Sequence, residues 1–210
     1  MPRKATETSG NGSGNAWRWS STADTRKSLL DAASEVFGEH GFADASIAAD
    51  VERAGSSVGS LYHHFGGKTE LFLALWERNQ AEHKHNAAAA VAKAKAAGEN
   101  NPLTLFTIGA RTFLEDAWRW RDLEQLFLDG DSPPGFELVR RTQAREWIRQ
   151  NAVLLDVGND PVDRLTVTVL SNIIDAAILE VATSPKLRQA RAIIDAALDL
   201  IQRVHPGMGA

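Results

Sequence analysis

Between residues 46 and 68 the chain reads SIAADVERAGSSVGSLYHHFGGK. Its chemistry-bearing residues, Ser57, Ser60, Tyr62 and His63, fall on one side of a short helical pattern from Val58 to Phe65, whose other side carries Leu61 and Phe65. No acid stands at a spacing that would orient a histidine toward a serine, and no metal-ligand or phosphate-loop spacing occurs, so enzymatic chemistry is not what this cluster offers. It offers hydrogen bonds along a polar helix face. The pattern before it places Ile47, Val51 and Ala54 at i, i+4 and i+7, the apolar stripe of another short helix. Ser46 stands where that helix needs an N-cap, and Ser57 does the same for the next one. Gly55 between them can enter the left-handed region at no steric cost, which lets the chain turn sharply. Two short helices, a glycine turn and a polar outer face on the second helix make a helix-turn-helix plan, whose second helix fits a DNA major groove.

The run from Thr25 to Lys68, with Ala54-Gly55, Leu61-Tyr62-His63-His64-Phe65 and then Lys68, resembles the DNA-binding domain of the TetR/AcrR transcriptional regulators. The most specific piece is GSLYHHFGGK, residues 59–68. The resemblance implies that the second helix of the motif reads the groove while the helix caps and the following lysine hold phosphates. Carried over by position, the DNA-binding candidates are Ser46, Ser57, Val58, Gly59, Ser60, Tyr62, His63, His64 and Lys68. Three positions depart from the family pattern: Val58 where a basic residue is frequent, and Ser56 and Asp50 where apolar residues are usual. An apolar Val58 suits contact with a thymine methyl, and the lack of arginine on this helix excludes bidentate guanine readout from it.

The remaining composition is consistent with a regulator. The hydrophobic content of 43% supports a real core, and with no cysteine there is neither a disulfide framework nor a thiolate metal site. The net charge of −4 excludes a general nucleic-acid coat. Residues 1–70 hold seven Lys/Arg against nine Asp/Glu, so charge must be sorted by face, with Asp31, Glu35 and Glu39 turned away from DNA. No apolar run is expected to reach the ~18 residues that cross a bilayer. The polar N-terminus has no secretion signal, and together with the resemblance this points to the bacterial cytoplasm.

The elements that would position the motif are all helical, since no segment sustains a period of two. Residues 1–20, rich in Gly, Ser, Asn and Thr, read as a disordered N-terminal arm. Residues 21–67 form a three-helix head, its first helix capped at Ser21 and ending near Gly41. Residues 68–210 form a larger helical domain for effector binding and dimerisation. Within it, His83 and His85, two apart, are expected on different sides of an exposed helix and not as metal ligands. The segment from Pro161 to Thr183 is apolar on nearly all sides, and a helix beginning at Ser184-Pro185 carries a wide stripe through Ile193, Ile194, Ala197, Leu198 and Ile201. One chain cannot cover both helices, so they are expected to pair with their copies as a four-helix bundle, as the resemblance also implies.

An effector pocket is expected in this body, mostly apolar with a few orienting polar groups. Phe106, Phe113, Trp118, Phe127 and Trp147 are candidates for its walls. Asn172 and Asp175 lie three apart on the apolar helix and need partners: a ligand, the dimer mate or Arg111. The fold class is therefore all-α, an N-terminal helix-turn-helix head plus a helical ligand-binding and dimerisation domain. The functional expectation is a repressor released from a palindromic double-stranded operator by a small-molecule effector, with no cofactor. Two alternatives stay open at this point. One is a TetR-like DNA-binding protein without an effector, controlled by a protein partner. The other is an all-helical enzyme using Asp175 with a histidine.

Overall fold

A computed structural model describes residues 13–128 and 130–204, with side chains from residue 22 onward. The described residues form nine helices and no strand: α1 (Ser13–Asp44), α2 (Ile47–Arg53), α3 (Val58–Phe65), α4 (Lys68–Ala96), α5 (Pro102–Arg119), α6 (Arg121–Leu128), α7 (Phe136–Leu154), α8 (Pro161–Ala182) and α9 (Leu187–Val204). The first helix starts at Ser13, eight residues earlier than the Ser21 cap predicted and inside the expected arm, whose residues 1–12 lie outside the described residues. Its regular path ends at Gly41, whose φ of 72° and ψ of 179° are open to glycine alone.

Helix boundaries follow local chemistry. Asn101 accepts a hydrogen bond from the Thr104 N–H at 2.9 Å and is followed by Pro102 at the first helical position of α5. Asp160 accepts from the N–H groups of Val162 and Asp163 at 2.7 and 2.9 Å, followed by Pro161 in the same role for α8. A proline there loses nothing, because first-turn N–H groups have no intrahelical partner. The Ser184-Pro185 start predicted for the last helix gives way to Leu187.

The apolar side chains gather in two clusters. One unites α5, α8 and α9, with Leu114, Leu170 and Ile201 fully buried. The other begins in the head with Leu29, Val36, Phe37 and Leu61 and runs through Leu71, Phe72 and Leu75 of α4 to Leu123, Leu126 and Phe127 of α6 and to Phe136. The head core is thus shared with the body. Phe72 is its hub: its ring meets Phe37, Phe42, Phe127 and Phe136 edge-on, with centroids 5.1–5.6 Å apart. Each such pair adds about 0.5–1.5 kcal/mol beyond the area it buries.

α8 corrects one expectation. By length and composition it is apolar enough to cross a bilayer. It instead packs against α5, α6, α7 and α9, as a core helix does. Val162, Leu165 and Leu179 stand exposed on its outer surface, in keeping with the expectation that one chain does not cover this helix.

Candidate functional site

In the head, the capping serines do what their positions demand. Ser46 Oγ accepts the Ala49 N–H at 3.1 Å, and Ser57 Oγ accepts the Ser60 N–H at 3.1 Å. Gly55 turns the chain between the two helices at φ 61°, and Gly66 closes α3 in the left-handed conformation at φ 93°. α3 then anchors itself by Leu61, which is fully buried, and leaves its opposite face open. Val58 is 47% exposed and Tyr62 52% exposed, and Gly59 and His63 are exposed beside them. Ser60 and His64 are half-buried at the edge. Replacing Ser57 with Ala removes the cap of this helix and should cost about 1 kcal/mol, read as a drop of about 2–4 °C in melting temperature.

Burial, then the neighbouring His63 ring and the Arg26 guanidinium, push the His64 imidazole below the usual histidine range. Arg26 lies over the Phe65 ring at 5.0 Å, which holds a positive charge at the end of α3.

Lys68, which the resemblance assigns to phosphate, is engaged within the protein. Its Nζ donates to the Ala43 carbonyl at 2.9 Å and sits 4.8 Å from the centre of the Phe42 ring. The Ala43 N–H donates in turn to the Asp131 carboxylate at 3.0 and 3.1 Å. A residue just past Gly41 is therefore gripped from one side by the first residue of α4 and from the other by the loop after α6. Any Cβ at position 41 would overlap the Asp131 carboxylate. The acids of α1 stay at the surface, held in ion pairs. Arg53 makes a two-pronged pair with Glu39 at 2.9 and 3.0 Å, and Asp31 pairs with Lys27 and Arg78, both at 2.7 Å.

The body holds two adjoining cavities. The smaller, about 190 Å³, is bounded by Trp76, Phe127, Glu137, Arg140, Arg141 and Asp175 among others. The larger, about 380 Å³, is bounded mainly by apolar groups, including Ala88, Val91, Phe106, Ala110, Leu154 and Ile174. Phe113, Trp147 and Lys84 border both. Phe113 and Trp147 stack with centroids 5.0 Å apart and an interplanar angle of 22°. The alanine-rich end of α4, expected to be wholly exposed, supplies one wall of the larger cavity.

Among the predicted wall residues, Phe106, Phe113, Phe127 and Trp147 meet at these cavities, and Asp175 lies at the rim of the smaller one. Trp118 does not. It packs on the body core with Arg121 stacked 5.1 Å from its ring. Asn172 does not either. It is exposed, one helical heptad from both Leu165 and Leu179 on the open face of α8. Arg111 partners neither of them, since it pairs with Asp195 of α9 at 2.8 Å. Among the described residues no histidine lines either cavity beside Asp175.

One cluster escaped the sequence. His83, expected at the surface, is completely buried, with Nε2 2.8 Å from Glu124 Oε1. The same oxygen accepts from Asn79 at 2.6 Å. Asp116 of α5, 3.9 Å from His83 Nδ1, accepts from Asn86 and Arg119 at 2.7 and 2.9 Å. This polar seam ties α4 to α5 and α6 just behind the cavity wall. The signal was present: residues 72, 76, 79 and 83 continue one stripe of α4, a longer-range pattern than the two-residue spacing of His83 and His85.

An N-capped, outward-facing second helix on a compact three-helix unit defines the helix-turn-helix class of DNA-binding folds. Comparison with known proteins narrows the class. Residues 29–75 match the family described as "Bacterial regulatory proteins, tetR family". The repressor AcnR of Corynebacterium efficiens is 40% identical over 58 residues, covering 28% of this chain and 31% of that protein. The regulator UidR of Escherichia coli K12 is 43% identical over 56 residues, 27% of this chain and 29% of that one. The match thus spans about a third of the length of these curated relatives. Over the whole chain the likeness is one of fold. A TetR-like regulator from Rhodococcus sp. RHA1 superposes with a TM-score of 0.62 at 24% identity, over 89% of this chain and 97% of that one. A TetR/AcrR-family regulator from Aquifex aeolicus VF5 gives 0.66 at 21%, over 86% and 99%. Residues 29–75 of this chain are thus similar to the TetR family's shared region, and the chain as a whole has the fold of these solved regulators.

Proposed function

We propose that this chain is a homodimeric transcriptional repressor of the bacterial cytoplasm, which binds a palindromic operator through α3 of each protomer and leaves it when a small molecule fills the body cavities. The observation that carries the reading is the exposed face of α3, with Val58, Tyr62 and His63 presented to solvent on a helix fixed by Ser57 and Leu61. Such a face spends no core contacts and is free to enter a groove, while Ser46, Ser57 and the free N–H groups at the helix starts suit phosphate oxygens.

Dimerisation is supported by what α8 and α9 leave uncovered. Leu165 and Leu179 stand on α8 with Asn172 between them, and Leu200 and Val204 stand on α9. A second copy would bury these side chains and give Asn172 a hydrogen-bonding mate, and one polar group in an apolar seam sets its register. Two copies would then offer α3 to half-sites about 34 Å apart or a multiple of that.

Release requires that the ligand bind one arrangement of the dimer better than the other. A physical route is available. Phe127 is at once a cavity wall and an edge-on neighbour of Phe72, which touches Phe37 and Phe42 in the head. The cavities also favour an effector over control by a protein partner alone, for which a filled body would suffice. Nuclease footprinting on DNA upstream of the protein's own coding region tests the proposal. It predicts one protected palindromic stretch. Uniform coverage, or no protection at moderate salt, would refute it.

A further inference from the structure

The larger cavity has a charge pattern that narrows its ligand. Two lysines, Lys84 and Lys95, border it, and no carboxylate does. Lys95 is exposed at the far end, whereas Lys84 is half-buried at the junction with the smaller cavity. Lys84 forms no hydrogen bond or ion pair among the described residues. Its nearest carboxylate influence, Glu146, is already engaged by Arg149 and by Gln150, whose Nε2 donates to it at 3.1 Å. Burial lowers the lysine's pKa, and Glu146 offsets this only in part. An ammonium drawn partly out of water without a partner is an unmet demand for an anion. In the smaller cavity the cations are differently placed, because Arg140 and Arg141 both pair with Glu137, and Glu124 and Asp175 add negative charge.

Resting on the effector reading above, we propose that the ligand is an apolar monocarboxylate whose headgroup pairs with Lys84 and whose hydrocarbon body lies along Val91, Phe106 and Ile174. The stacked rings of Phe113 and Trp147, beside Lys84, form the shelf on which the headgroup end rests. The cavity volume of about 380 Å³ lies within the range for small-ligand sites. α4 supplies Lys84, Val91 and Lys95 from one helix, so headgroup and chain contacts bear directly on the element that begins at the head.

The test uses the full chain and one chain length with three headgroups, decanoate, decan-1-ol and decylammonium, titrated calorimetrically and by tryptophan fluorescence. Decanoate is expected to bind at least about tenfold more tightly than the alcohol, with decylammonium the weakest. Lys84→Met should remove the tenfold advantage of decanoate and leave the alcohol unchanged, while Lys84→Arg should restore most of it. Equal binding of all three headgroups, or equal losses in Lys84→Met, would overturn the proposal. Operator affinity is measured separately on the same samples. Decanoate binding that depends on Lys84 but leaves operator affinity unchanged supports this site and removes its role as a release switch. Release by an uncharged compound, with decanoate not bound, preserves the switch and refutes the carboxylate.

Discussion

Replacing Tyr62 with Ala lowers affinity for the operator about 10- to 100-fold and leaves the melting temperature essentially unchanged. The two halves of this expectation come from the same geometry. The Tyr62 side chain is half open to solvent and the helix is held by other residues, chiefly Leu61 beneath it and the Ser57 cap at its start. Removing the phenol therefore takes little from the core. In the proposed complex the ring and hydroxyl meet DNA, and a 10- to 100-fold loss corresponds to about 1.4–2.8 kcal/mol. Mobility-shift titration at fixed salt, paired with calorimetric melting, reads both halves. Unchanged operator binding would remove Tyr62 from the interface, and a collapsed melting temperature would make it a packing residue.

The second large effect concerns stability. Asp50 sits in α2 with only 3% of its surface exposed, and neither carboxylate oxygen has a hydrogen-bond partner among the described residues. It stands where the family usually places an apolar residue, and it borders a small cavity with Val36, Phe37, Leu71, Ser46 and Lys68. Burial pushes its pKa up to about 6. The folded chain thus holds this proton more tightly than the unfolded chain, in which a free aspartate titrates near 4. Between about pH 4 and pH 6 the unfolded state loses the proton first, so stability falls as pH rises through that window and then levels off, a total of about 3 kcal/mol. The effect is opposite in sign to that of Asp31, Glu39 and Asp160. Their pKa values are lowered in the fold, and their contribution is lost only as pH falls below the ordinary carboxylate range. Asp50→Ala should therefore be more stable than the parent at pH 8 by about 2 kcal/mol, after about 1 kcal/mol is given up to the small space left behind. That corresponds to a gain of about 4–8 °C. The difference between variant and parent should shrink toward zero and then reverse as pH falls to 4. A difference that does not vary with pH would mean that Asp50 is satisfied by water or another group.

The head was legible because its information is local. Caps at Ser46 and Ser57, the turn at Gly55 and the limits of α3 depend on residues within a few positions of one another, and all lie where the sequence put them. Asp50 was visible as a departure, though only its surroundings reveal what the departure costs. Elements whose partners are distant in sequence were harder. The anchoring of Lys68 was not visible because Ala43, its acceptor, is 25 residues away. His83 looked like a surface residue because Glu124 lies 41 residues on. Asn172 was expected to be buried and in need of a partner, but it stands exposed, because the sequence does not show which way the open face of α8 points. Phe127 was assigned to the pocket, and nothing in its vicinity announced that it also belongs to the head core.

The chain contains no cysteine, so a single one can be placed and labelled without interference. An iron-chelate cleavage reagent attached to Val58→Cys, at the exposed start of α3, reports which DNA positions that helix approaches. Cuts in two clusters about 34 Å apart or a multiple of it, absent when the label is moved to Asn100→Cys beyond the far end of α4, are the result expected of a groove-reading pair of helices. No cuts from position 58, or the same cuts from both positions, would contradict it.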